Sequence, residues 1–66
     1  MQVVLNGRET QIPDISSVRA LVDSKQLKPE SIMVCINDEV INRNFWDNTV
    51  LHADDRIDVV RIVGGG

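Results

Sequence analysis

A single cysteine, Cys35, occurs in the sequence, and a single histidine, His52. One thiol excludes an internal disulfide, a four-cysteine cluster and a cysteine-built structural zinc site. Cys35 lies in the most apolar run of the chain, where a free cysteine behaves as a small hydrophobe and burial blocks access to sulfur, so a packing role is expected. His52 stands in a polar loop beside Asp54 and Asp55, an arrangement that reads as solvated surface rather than a metal or acid–base site. No nucleophile–base pair and no phosphate-binding loop appears, and no metal site is expected. Long apolar runs are missing too: nothing approaches the ~20 residues of a membrane span. Met1 leads almost at once into strand-like sequence without a basic n-region or apolar h-region, so no membrane association and a cytoplasmic location are expected. Positive charge is scarce, with seven Lys and Arg against ten Asp and Glu and a net charge of −3. Arg8, Arg19, Lys25, Lys28, Arg43, Arg56 and Arg61 are scattered among acids along the chain. A nucleic-acid binder needs clustered cations to displace counterions from phosphates, so no nucleic-acid partner is expected. The balance suits docking on a basic protein surface instead.

What is present fits one small domain. Sixty-six residues leave no room for a second core, and 42 % apolar content is ordinary for a globular chain. At this size only roughly 60 % of the unfolded surface is buried, so every core position counts. Gln2-Val3-Val4-Leu5 reads as a strand ending at Asn6-Gly7, the φ > 0 pair that a type I′ hairpin requires. Thr10-Gln11-Ile12 returns as the second strand, limited by Pro13. Ser16 or Asp14 can cap a helix, and Val18, Leu21 and Val22 give it one apolar face. Lys25 interrupts that face, so about three turns closing near Gln26 are expected, with Leu27 folded back on the core before Pro29.

Residues 31–37, Ser-Ile-Met-Val-Cys-Ile-Asn, lack polar alternation, which implies a strand with both faces at least partly covered. Asn37-Asp38-Glu39 reads as a turn and Val40-Ile41 as a short returning strand. Phe45 and Trp46, the only aromatics, are expected to plug one end of the core. Arg56 to Val63 is a β-branched run of strand character.

The order is strand, strand, helix, strand, short strand, strand. This predicts an α+β fold, a mixed sheet of four to five strands packed on one helix. The helix supplies the crossover that lets the first and last strands pair in parallel at the centre, which is a β-grasp arrangement. Residues 1–63 form the domain, and Gly64, Gly65 and Gly66 form a tail expected to be mobile when the protein is alone. A strand feeding terminal glycines is suited to presenting the α-carboxylate of Gly66 through a channel too narrow for any Cβ. Ile57 and Val59 share one strand parity and Asp58, Val60 and Ile62 the other. If the first pair faces the helix, Val60 and Ile62, with Asp58 beside them, offer a docking surface next to the tail.

The whole chain resembles the ThiS family, small ubiquitin-like β-grasp sulfur carriers of thiamine biosynthesis. Ile36-Asn37-Asp38-Glu39-Val40-Ile41-Asn42-Arg43-Asn44-Phe45-Trp46 is similar to that family's Asn…Val-Pro-Arg…Trp stretch. Asp55-Arg56-Ile57-Asp58-Val59-Val60 leading to Gly65-Gly66 is the second matching piece. Asn42 stands where proline is frequent, and Asp54 where a glycine is usual. The resemblance implies that an adenylating enzyme of the ubiquitin-activating type uses ATP and Mg²⁺ to convert the Gly66 carboxylate to an acyl-adenylate. A persulfide sulfur donor then replaces AMP, and the resulting thiocarboxylate supplies sulfur to thiazole synthase. In that scheme the chain is a recycled cosubstrate rather than an enzyme, binds no cofactor of its own and is monomeric alone. A molybdopterin-type sulfur carrier and a ubiquitin-like modifier share the activated tail. A non-covalent β-grasp binding module would not need it.

Overall fold

The computed structural model describes residues 1–62. The first strand, β1 (Gln2–Leu5), turns at Asn6 and Gly7, both with positive φ (50° and 81°), into antiparallel β2 (Arg8–Gln11). The helix α1 (Val18–Ser24) follows, then a single 3-10 turn at Pro29–Ser31 leads into β3 (Ile32–Ile36). A second left-handed pair, Asn37 and Asp38 (φ 51° and 73°), folds β3 back onto β4 (Glu39–Ile41). After a 3-10 turn at Arg43–Phe45 the chain returns as β5 (Arg56–Arg61). The five strands lie in the order β2-β1-β5-β3-β4. β1 and β5 pair in parallel and the other neighbours antiparallel, so the last strand is central, as a β-grasp requires.

One face of the sheet holds the core. Val3, Ile32, Val34 and Ile57 meet Val18, Leu21 and Val22 of α1, with Trp46 and Leu51 closing the gap. Trp46 is 1 % exposed, and its indole N–H donates to the Ile41 carbonyl at 3.0 Å, which removes the penalty of burying that donor. Phe45, expected to share the plugging role, is 61 % exposed. The 3-10 turn sends adjacent side chains in different directions, and only the tryptophan reaches the interior.

The helix is shorter than its apolar spacing suggests, seven residues rather than three turns. Its cap is Ser17, whose Oγ accepts from the Ala20 N–H at 3.0 Å. Ser16 is buried and donates to the Pro13 carbonyl, and Asp14 pairs with the Met1 amine, so neither expected cap serves the helix. At the other end Gln26 takes a left-handed φ of 56°, its N–H bonds the Asp23 carbonyl, and the Leu27 N–H reaches back to Val22. This is a Schellman ending with glutamine where glycine is usual, and it folds Leu27 onto the core.

Candidate functional site

β5 is the element on which the candidate site depends. Side-chain and main-chain hydrogen bonds fix its position at both ends. At its start, Asn37 accepts from the Arg56 N–H (2.9 Å) and donates to Asp55 (3.1 Å), while Asp55 also accepts from the His52 N–H (2.8 Å). Past the end of β1, the Asn6 side chain accepts from the Val59 N–H at 2.8 Å, so an amide oxygen continues the ladder where the neighbouring strand has turned away. The Ile62 N–H donates to the Ser31 carbonyl at 2.8 Å, the point at which the described chain leaves the sheet. The expected tail residues Gly64, Gly65 and Gly66 lie outside the described residues.

Strand parity places the other expected residues. Ile57 is fully buried and Val59 packs against the core, whereas Val60 and Ile62 are 46 % and 53 % exposed on the uncovered side. Asp58 is half-buried between them and the start of the strand. The β3–β5 register sets Met33 opposite Val60 and Cys35 opposite Asp58, and Val40 of β4 opposite Cys35. The open face therefore carries an apolar patch of Met33, Val40, Val60 and Ile62, all at least 37 % exposed. Met33 was not legible in the sequence because β3 has no polar alternation, so its outward positions show only once its register with β5 is known, and Val40 follows from the pairing of β4 with Cys35.

That register also corrects the expectation for Cys35. The thiol lies on the open face and is half-buried, because Ile32 and Val34 occupy the inward parity. His52 is 79 % exposed and stands 3.7 Å from Asp55. Among the described residues no three metal-ligating side chains gather, and no helix is long and apolar enough to cross a membrane. Asp54 adopts a left-handed φ of 68°, at the position where the resembling family usually has glycine.

The sequence model of the ThiS family matches residues 2–66. The chain belongs to the ThiS family. Its fold superposes on the crystal structure of a thiamine biosynthesis protein (ThiS) from Geobacter metallireducens with a TM-score of 0.89 and 25 % identity, each chain covered completely. The NMR solution structure of a thiamine biosynthesis protein from that organism gives a TM-score of 0.82 at 25 % identity, covering all of this chain and 88 % of that one. A thiazole synthase from Magnetococcus marinus is 32 % identical over 66 residues, the whole of this chain. The chain spans only 20 % of that relative's length.

Proposed function

We propose that this chain is the sulfur carrier of thiazole formation in thiamine biosynthesis, acting in the cytoplasm as a recycled cosubstrate. The observation that carries the reading is the family match through residue 66, together with a central β5 that delivers the chain to Ile62 just ahead of the glycines. A thiazole synthase that contains a segment like this whole chain supports thiazole synthase as the acceptor, since covalent joining suits two parts that act in succession.

A carboxylate is a poor electrophile because its leaving group would be oxide. A Gly66 carboxylate oxygen attacks the α-phosphorus of ATP on the adenylating partner, pyrophosphate leaves, and an acyl-adenylate forms. The partner's Mg²⁺ and cationic groups neutralise the phosphates. The terminal sulfur of a donor persulfide attacks the acyl carbon and AMP leaves, giving an acyl disulfide. A thiol then attacks the donor-side sulfur, becoming oxidised to a disulfide as the Gly66 thiocarboxylate is released. This chain contributes the nucleophilic terminus, the narrow Gly65 approach, and the patch of Val60 and Ile62 that holds the partner.

Pyrophosphate exchange with purified adenylating enzyme tests the reading through Gly65→Val. The substitution lies beyond β5 and should leave the melting temperature unchanged. Exchange should fall on the order of 10²-fold, because a β-branched side chain stiffens the thread and displaces the reacting carboxylate. Deletion of Gly66 should be equally silent in stability and more damaging. Wild-type exchange by Gly65→Val would sink the threaded-tail reading.

A further inference from the structure

Four of the seven cations dispersed along a net acidic sequence come together in space. Lys25 and Arg61 line one groove with Leu27 and Ile32. Lys28 and Arg61 line the next with Leu27, Ile32 and Ile62. On the other side of Ile62, Arg43 lines a third groove that includes Ile32 and a single carboxylate, Glu30. Four of the seven Lys and Arg thus surround the point where the chain leaves the sheet. All four are exposed, and none forms an ion pair among the described residues.

The opposite end of the sheet gathers four of the ten acids, Asp14, Asp38, Asp54 and Asp55. Parallel pairing of β1 and β5 brings the start of both strands together, and the Asp54 N–H donates to the Gln2 carbonyl there. Asp14 beside the Met1 amine, whose hydrogen bond holds its carboxyl below the usual range, is at this end. So are Asp55 and the ion pair of Asp38 with Arg56. Four cations without an ion partner among the described residues thus gather where β5 ends, and Asp54 and Asp55 lie at its start.

We infer that Lys25, Lys28, Arg43 and Arg61 form a cationic collar that docks on a carboxylate-rich rim around the tail-accepting channel of the adenylating partner. The inference rests on the proposed carrier function and reverses the partner charge that net composition suggests. An acidic rim would by itself repel the incoming Gly66 carboxylate. A ring of four positive charges at the tail's root outweighs that repulsion and orients the molecule tail-first. The collar is continuous with the apolar patch through Ile62, which borders both the Arg43 and the Lys28 grooves. The partner should therefore present an apolar centre flanked by Asp and Glu.

Stopped-flow association of the full chain with purified adenylating enzyme from the same organism tests this as a function of NaCl. The wild-type association rate should fall about tenfold or more as screening increases from low to high ionic strength. The combined Lys25→Gln, Lys28→Gln, Arg43→Gln, Arg61→Gln protein, shown to be folded by its melting temperature, should lose that much at low salt and show a flat salt dependence. Arg19→Gln with Arg56→Gln, which removes two cations away from the tail, should associate at close to the wild-type rate. A wild-type rate that rises with salt, or a fourfold variant indistinguishable from wild type, overturns the collar while leaving the carrier function standing. Failure of the wild type to bind or to support pyrophosphate exchange overturns both.

Discussion

The two faces of the sheet are built from the same residue types and do different work. On β5, Ile57 is fully buried against α1, whereas Val60 is 46 % exposed. On β3, Val34 is fully buried and its neighbour Met33 is 37 % exposed. Inward residues exchange water for close packing with Val18, Leu21, Val22 and Trp46, and they hold the fold. Outward residues leave apolar surface uncovered towards the end of β5, the surface that the proposed docking would use. In a strand, one step along the chain separates a core position from an exposed one.

The comparison should break most visibly at Trp46 and Ile57. Trp46→Ala should cost about 3–5 kcal/mol and Ile57→Ala about 2–5, the usual range for large core truncations. A domain of this size is worth only about 3–10 kcal/mol in all, so chemical denaturation should find either protein largely unfolded or at its margin. Val60→Glu with Ile62→Glu should behave oppositely. Both sites are about half exposed, so stability should change by less than about 1 kcal/mol while adenylation kinetics weaken sharply. Full adenylation by a folded double variant would remove the open face from recognition.

Smaller effects refine the picture. Ile15 is 87 % exposed and held at a left-handed φ of 58°, an unfavourable conformation for a β-branched residue. Ile15→Gly should therefore raise stability by about 0.5–1 kcal/mol in urea unfolding, the relief of strain exceeding the entropy lost to glycine. Phe45→Ala should shift it by less than about 0.5 kcal/mol, in contrast to its neighbour Trp46. A large loss at Phe45 would mean that the aromatic pair acts together.

The parts of this fold that were legible in the sequence rest on local chemistry. Asn6-Gly7 announced a left-handed turn, and Asn37-Asp38-Glu39 announced the next. The parity of Ile57 and Val59 against Val60 and Ile62 could be counted along β5 before its partners were known. The helix end near Gln26 and the return of Leu27 to the core were legible from Lys25 and Pro29, whereas the cap at Ser17 was not, because Asp14, Ser16 and Ser17 are all able to cap. Phe45 and Trp46 could not be told apart, since what separates them is whether the Ile41 carbonyl lies within reach of an indole N–H. Cys35 was misplaced because an uninterrupted apolar run conceals which parity faces inward. The collar was invisible for a related reason: the Lys25 and Lys28 pair, Arg43 and Arg61 come from three separate stretches of the chain and meet around Ile32.

The central claim is that Gly66 carries sulfur. Intact-mass analysis of the protein taken directly from cells making thiamine tests it most directly. A fraction of the chain should have one oxygen replaced by sulfur, localised to the C-terminal residue by fragmentation, and that fraction should vanish when the adenylating enzyme is deleted. Protein that carries only an unaltered carboxylate under those conditions, or that is found joined to lysines through isopeptide bonds, would contradict the account.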